Sequence, residues 1–297
     1  MADNATIAVI GAGELGQAIG KLLRENGSAV EFWDSDLQKV PGQKSLQETV
    51  RPAAHVFFCI PSWGMREALG ASLAFFAPSA TVVSFAKGIE KDSLKTASEL
   101  MDEILAPNQP RVFVGGPMLA GEIAVSKKAI GVIASRDAAA RTKVLQLLMS
   151  PHFAGELSDD PFSVSLAGAL KNIYAVLLGL ADGLKLSGNV KGWLASHALH
   201  EMTEVATSLG ANAAAILDSA GAADFLATGY SPYSRNRAIG FEIAKNGIEE
   251  PGSEGLVSLP FLLKRLGQNA AVFPLLTLIK EVGIEKKSPA TLFAEYV

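Results

Sequence analysis

Lys171 lies in the middle of an apolar stretch, Val164 to Asp182, with leucines, valines, an isoleucine and alanines on nearly every side. A helix of that pattern is buried all round. A buried ammonium is costly, so it must be paired, bound to an anion, or lowered in pKa toward neutrality. The last state suits a group that gives and takes a proton near neutral pH. The plainer alternative is a lysine that runs its aliphatic stem to a nearby surface.

A second constellation, near the start of the chain, argues against that alternative. Gly11-Ala-Gly13-Glu14-Leu15-Gly16 follows the apolar run Thr6–Ile10 and opens the helical stretch Gln17–Arg24. A further apolar run, Ala29–Trp33, ends at Asp34. Strand, glycine turn, helix and a terminal acid roughly twenty residues on make up the dinucleotide-binding fingerprint. Gly11 makes the tight turn, Gly13 lets a pyrophosphate approach the backbone, and Gly16 lets the helix pack on the strand. The helix N-terminus supplies amide donors and a positive dipole end. Asp34 would accept from a ribose 2′-hydroxyl and repel a 2′-phosphate, which favours NAD over NADP. An acid ending a strand with no ligand is the competing reading for Asp34.

These residues need elements to hold them. Up to about residue 160, short apolar runs alternate with helical stretches. Val56–Ile60, Thr81–Phe85, Arg111–Val114 and Ala129–Ala134 read as strands, Ser93–Leu105 and Ala138–Met149 as helices. That alternation predicts an α/β fold, a Rossmann-type doubly wound and mostly parallel sheet. Ser158-Asp-Asp-Pro161 is a cluster of breakers, and beyond it only helical patterns separated by glycine-rich turns follow. The expected organisation is a dinucleotide-binding domain over 1–160 and an all-helical substrate-binding domain over 161–297. In such a pair the cofactor lies at the carboxyl ends of the strands, with substrate in the cleft toward the helices.

Composition narrows the classes. The chain has 297 residues, 49% hydrophobic and 19% charged, with a net charge of −4 and no basic run, which argues against a nucleic-acid partner. Its one cysteine, Cys59, falls inside an apolar run and reads as core, so no disulfide forms within the chain. The polar residues of the long apolar helix make it a domain core rather than a membrane span. The N-terminus passes directly into the first strand without signal-peptide features, so the expectation is a cytoplasmic protein with no membrane insertion. The apolar C-terminal helices leave both packing within the domain and a homodimer open.

Other residues join the cleft by position. Lys87 follows the run ending at Phe85, at a strand carboxyl end. Gly115-Gly116 follows another strand and permits close backbone approach. Ser234 leads into a helix whose first residues are Arg235 and Asn236, donors suited to a phosphate at a helix N-terminus. A solvated surface arginine is the alternative for Arg235. His197, His200, Glu201 and Glu204 recur at helical spacing but read as the polar side of a helix, and no metal is expected.

With these residues in place, the chain resembles the NAD(P)-dependent glycerol-3-phosphate dehydrogenases. The resemblance rests on Gly168-Ala-Leu-Lys171-Asn172, Ala181-Asp-Gly-Leu184, Gly188-Asn189, Ala223-Asp224-Phe and Ser234-Arg-Asn236. Ala86-Lys87-Gly-Ile89, Gly116-Pro-Met-Leu-Ala120 and Glu254-Gly255 complete it. It implies a 6-phosphogluconate dehydrogenase-like architecture and interconversion of dihydroxyacetone phosphate and sn-glycerol 3-phosphate, with a link to phospholipid synthesis. Lys171 would be proton donor and acceptor, Asp224 would polarise it or the substrate hydroxyl, and Lys87 would sit beside nicotinamide and substrate. Cofactor contacts would come from Gly11, Gly13, Glu14, Leu15, Gly16 and Asp34, and from Lys87, Ala120, Arg235 and Glu254. The small phosphorylated substrate would meet Lys87, Gly116, Lys171 and Asn172, together with Asp224, Ser234, Arg235 and Asn236.

The chain departs from the family at several points. Leu15 stands where a tryptophan is frequent, Met118-Leu119 where Ser or Thr then Phe is usual, Ala223 for a glycine and Gly229 for a common cysteine. Met118 offers no hydroxyl to a substrate. Much of the chain's shortening falls between Asp34 and Val56. There, bacterial members frequently carry a basic residue near the acid and use NADPH. Here the acid stands alone in the sequence, with Lys39 the nearest cation, so NADH is the expected cofactor. Two further readings share the same fingerprint: a β-hydroxy-acid dehydrogenase of the same plan, and a non-catalytic dinucleotide sensor.

Overall fold

Seven strands make one sheet in the order β2-β1-β3-β4-β5-β6-β7. They are β1 (Thr6–Ile10), β2 (Ala29–Trp33), β3 (His55–Phe58), β4 (Thr81–Ser84), β5 (Arg111–Gly115), β6 (Ala129–Ala134) and β7 (Phe153–Ser158). This is a computed structural model, and it describes residues 6–247 and 252–296. The expected outer limits of the two domains, Met1 and Val297, therefore lie outside the described residues. All neighbouring strands are parallel except β5 and β6, which pair antiparallel through Val114 and Ile133.

The inner strands are apolar on both faces because both faces are covered. Ile7, Val9, Phe57 and Val83 pack under the helix Glu14–Glu25 through Ile19, Leu22 and Leu23. On the other face, Val56, Phe58, Val82 and Phe113 share one core with Leu166, Leu170 and Ile173 of the helix Pro161–Gly183. Burial of this kind stabilises by about 25 cal/mol per Å² of apolar surface removed from water. The six expected strands are present, and β7 is a seventh that the sequence reading left unassigned. It is the sheet's outermost strand on that side, with Glu156 and Leu157 exposed. An edge strand lacks the continuous apolar run that marked the others. Its register is fixed by glycine: Gly155 lies opposite Gly131, and the Phe153 ring occupies the space a Gly131 side chain would need.

The central helix, Pro161–Gly183, starts where the sequence signals a start. Asp160 caps it by accepting from the Ser163 amide at 3.0 Å, and Pro161 sits in its first turn. It is buried from Ser163 to Ala181. Among the described residues it alone is long and apolar enough to cross a membrane, yet here the fold encloses it completely. Every later described element is helical. Two of these helices cross it at backbone contact. Where the helix Arg235–Asn246 crosses, a Cβ on Gly179 would lie 2.1 Å from the Arg237 carbonyl oxygen, and one on Gly240 would lie 2.1 Å from that of Val176. The helix Glu254–Leu266 meets it at Gly255, whose missing side chain makes room for the Asn172 carbonyl. These close crossings bring the starts of both later helices to the middle of the central helix, beside Lys171.

Candidate active site

A cleft of about 870 Å³ runs from the glycine turn, past the carboxyl ends of β1, β3 and β4, to the central helix. Gly11, Gly13, Glu14, Leu15 and Asp34 line one end, and Lys87, Met118, Ala120, Lys171, Asn172, Arg235 and Glu254 the other.

The glycine turn fits a dinucleotide. Gly11 has φ +96°, and a side chain there would strike Ile60 and the Cys59 carbonyl. A Cβ on Gly16 would lie 1.8 Å from the Gly11 carbonyl oxygen, so strand and helix could not approach. A Cβ on Gly13 would meet nothing within 4 Å, because it would point into the cleft. No side chain caps the helix Glu14–Glu25, which leaves its first amides available to an anion.

Asp34 is buried and fully engaged. Its Oδ2 accepts from the Ala12 amide at 2.8 Å and its Oδ1 from the Asp36 amide at 2.9 Å. The Lys39 ammonium lies 3.3 Å from both oxygens. Burial alone would raise this carboxyl; the two amides and Lys39 outweigh it and hold the pKa below the ordinary value. The expectation that the acid stands alone is thus corrected. The shortened segment after β2 folds back and places a cation on it.

At the other end, Asp224 bridges two lysines. Its Oδ1 is 3.0 Å from Lys171 Nζ, and its Oδ2 is 2.6 Å from Lys87 Nζ. Lys87 also donates to the Gly116 carbonyl at 2.7 Å, and Lys171 to the Thr228 hydroxyl at 2.8 Å, which in turn donates to Asp224. Lys171 is 6% exposed and Asp224 1%. Burial depresses the Lys171 pKa, Asp224 opposes that, Lys87 reinforces it, and the result is about 8. The sign of this net shift, open from sequence, is downward. Asp224 stays ionised because the two ammoniums outweigh its own burial.

An amide relay ties the two halves together. The Asn172 side chain donates to the Lys87 carbonyl at 2.8 Å and accepts from Asn236 at 2.8 Å, and Asn236 accepts from the Gly255 amide at 3.0 Å. Asn236 and Ser234, expected to hold a phosphate, are spent in this structure on other work. Ser234 caps the helix Arg235–Asn246 by accepting from the Arg237 amide, and neither residue borders the cleft. Gly116 offers its carbonyl to Lys87 rather than facing the cleft. Arg235 does border it, and reaches across the mouth to Glu14 at 2.9 Å. Glu254 borders it too, held by the Ser62 amide at 2.8 Å and hydroxyl at 2.7 Å, with burial pushing its pKa up to about 7.

Three residues of this assembly had no role assigned from sequence. Thr228 lies one helical turn after Asp224, a spacing that places both on one face and was available as a signal. Gly168 leaves room for the Lys87 stem, since a Cβ there would lie 3.1 Å from Lys87 Cγ. Ser62 had no signal, because its partner Glu254 is 192 positions away. Among the described residues no three His, Cys, Asp or Glu side chains group as a metal set. The His197 ring lies tilted against Trp193, and Glu201 turns inward to take the Tyr174 hydroxyl and the amides of Leu275 and Leu276.

The family model described as NAD-dependent glycerol-3-phosphate dehydrogenase N-terminus matches residues 37–141, and that for the C-terminus matches 160–294. The glycerol-3-phosphate dehydrogenase (NAD(P)+) of Pseudomonas aeruginosa (strain LESB58) is 34% identical over 307 residues, covering 96% of this chain and 87% of the relative. That of Ectopseudomonas mendocina (strain ymp) is 35% identical over 319 residues, covering 98% and 93%. In structure, glycerol-3-phosphate dehydrogenase from Coxiella burnetii superposes with a TM-score of 0.89 at 23% identity, over 99% of this chain and 98% of that one.

Proposed function

The chain belongs to the NAD-dependent glycerol-3-phosphate dehydrogenase family, and we propose that Lys171 gives and takes the proton in its reaction while Arg235 meets the substrate phosphate. The enzyme is an NAD(P)-dependent oxidoreductase that interconverts dihydroxyacetone phosphate and sn-glycerol 3-phosphate. Residues up to 160 form its cofactor half and residues 161–297 its substrate half. The observation that carries the mechanism is Asp224 holding both Lys171 and Lys87 against one wall of the cleft.

The glycine turn and the first turn of the helix Glu14–Glu25 would hold the cofactor pyrophosphate, with Leu15, Ala120 and Glu254 along its length. The bound nicotinamide supplies or removes the hydride at C2 of the substrate. In reduction the Lys171 ammonium protonates the C2 oxygen as the C=O π bond breaks. In oxidation the neutral amine takes the hydroxyl proton back. A pKa of about 8 keeps both forms populated near neutrality. Asp224 does not border the cleft; it fixes Lys171 and Lys87 from behind. Lys87, held also by the Gly116 carbonyl, places a second positive charge beside the reacting oxygen. Asn172 bonds the Lys87 backbone, and Ser234 and Asn236 support the helix and relay that present Arg235 and Asn172. At the adenosine end, Asp34 would face the ribose and by itself favours NADH, while Lys39 on its oxygens offsets part of that preference.

The test is oxidation of NADH and of NADPH with dihydroxyacetone phosphate, for the wild type and Lys171→Met. The expected result is turnover by the wild type and a loss of roughly 10²–10⁴-fold in the variant, with NADH binding retained. Equal turnover by both proteins would overturn the role of Lys171. No turnover by the wild type, together with activity on a β-hydroxy acid, would overturn the substrate.

A further inference from the structure

We infer that Ser62 is a positioning residue of the reaction: it holds Glu254 in the cleft as a fixed negative charge, and that charge steadies the Lys171 ammonium. This role presupposes Lys171 as the proton carrier, and it extends the machinery around that lysine from one acid, Asp224, to two.

The geometry supports it from both sides of Glu254. On the sheet side, the short turn Ser62–Gly64 follows β3. Ser62 gives Glu254 two bonds, its amide to Oε1 at 2.8 Å and its hydroxyl to Oε2 at 2.7 Å. Both carboxylate oxygens are pinned, so the group cannot turn away without breaking a bond. The pair closes only because a glycine stands after Lys87. A Cβ on Gly88 would lie 2.2 Å from Ser62 Oγ and 2.7 Å from Glu254 Oε2. The next residue, Ile89, donates its amide to the Ser258 hydroxyl at 3.1 Å, one turn further along the helix Glu254–Leu266. On the helical side, Gly255 packs so closely on the central helix that its Cβ would lie 2.2 Å from the Asn172 carbonyl oxygen. Glu254 and Lys171 are the residues just before that contact, and both border the cleft. The crossing therefore sets the carboxylate within Coulombic reach of the ammonium.

Charge balance gives the contact a purpose. Among the described residues, the charges that act on Lys171 are those of Asp224, Lys87 and Glu254, and the charge that acts on Glu254 is that of Lys171. Asp224 is shared between two ammoniums, which leaves the inner cluster one positive charge in excess. Glu254 balances it, and a buried cluster that sums to neutrality is less costly than one that does not. Burial pushes the Glu254 pKa up to about 7, while both bonds from Ser62 oppose the rise. Without Ser62 the carboxyl climbs higher and is neutral over the range in which Lys171 exchanges its proton. Lys171, deprived of one supporting anion, then releases that proton at lower pH.

The experiment is the pH profile of kcat for reduction of dihydroxyacetone phosphate at saturating NADH. Wild type, Ser62→Ala, Glu254→Gln and the double variant are compared as whole enzymes. In the wild type the rate falls through about pH 8. In Ser62→Ala the fall should move to lower pH by about 0.5, a loss of about twofold at pH 8. Glu254→Gln keeps the shape, leaves Ser62 untouched and removes the charge, so it should move the fall in the same direction. Because Ser62 acts through Glu254, adding Ser62→Ala to Glu254→Gln should produce no further movement. A wild-type midpoint in either single variant overturns the proposal, as do shifts that add in full in the double variant. A wild-type rate that does not change through pH 8 overturns instead the reading of Lys171 as proton carrier, so the two failures are distinct.

Discussion

The two halves of the cleft each contain an ion pair that ties the sheet side to the helical side, and the pairs differ in what they do. Lys87 and Asp224 meet at 2.6 Å, Arg235 and Glu14 at 2.9 Å. The distances are close, but the surroundings are not. Asp224 is 1% exposed, while the Arg235 and Glu14 side chains are 72% and 70% exposed. In water, attraction at this separation is screened and offset by side-chain entropy, so the outer pair contributes about 0–1 kcal/mol. Inside, the charges interact strongly but have given up their hydration, and removing one partner costs about 3–5 kcal/mol. The inner cluster is therefore rigid and tuned, the outer pair easily exchanged. That difference matches the tasks proposed for them: a proton carrier needs a fixed environment, and an arginine that receives a phosphate must release whatever holds it.

The largest expected effect comes from breaking the inner cluster. Asp224→Ala leaves the buried Lys171 and the part-buried Lys87 ammoniums without a counter-charge and should lower stability by about 3–5 kcal/mol, measured by denaturant unfolding. Asp224→Asn keeps the shape and removes the charge. Turnover should fall severely, and the Lys171 titration should move to lower pH than in the wild type. A wild-type midpoint in Asp224→Asn would separate Asp224 from Lys171 and dissolve the proposed cluster.

The pH profile of the wild type tests the same coupling with no mutation. Reduction needs the Lys171 ammonium, so its rate should fall as pH rises through about 8. Oxidation needs the neutral amine, so its rate should rise over the same interval. Profiles that moved in the same direction would contradict a single group serving both. A smaller effect is expected at Thr228, whose hydroxyl bonds Lys171 and Asp224 together. Thr228→Val should lower kcat by about tenfold with little change in KM, and Thr228→Ser should restore most of it.

The smallest effect belongs to the outer pair. Glu14→Gln should change stability by less than about 1 kcal/mol and leave kcat near the wild-type value. Because it frees Arg235, it should lower the KM for the phosphorylated substrate, most clearly at low salt where screening is weakest. A destabilisation as large as that of Asp224→Ala would show that exposure does not distinguish the two pairs.

Residue by residue, the limits of the sequence follow a pattern. Gly11, Gly13 and Gly16 were legible because the constraint is local: one strand, one turn and one helix fix what each glycine must allow. Lys171 was legible because a charge among nineteen buried positions, Ser163 to Ala181, stands out against its own helix. Strand β7 was not legible, since an edge strand has only one side to bury and its apolar pattern fades. The structural part played by Asn236 was not legible for a related reason. A polar residue at a helix start suits a phosphate, and nothing in the spacing shows that its side chain joins Asn172 to Gly255. Lys39 was noticed as the nearest cation and discounted, because its position depends on how Gln43 folds the intervening segment.

Local pattern and spacing thus determined most of the element types, the dinucleotide turn and the identity of the buried lysine, because each follows from backbone geometry or from burial along a single element. The resemblance carried by short motifs supplied the reaction. Only the tertiary structure decided which charges meet: that Asp224 serves two lysines, that the net Lys171 shift is downward, that Glu254 belongs to Ser62, and that Asp34 is covered by Lys39. Those are contests between desolvation and Coulomb attraction over a few ångströms. Their outcome depends on distances between residues far apart in the chain, which no one-dimensional pattern contains.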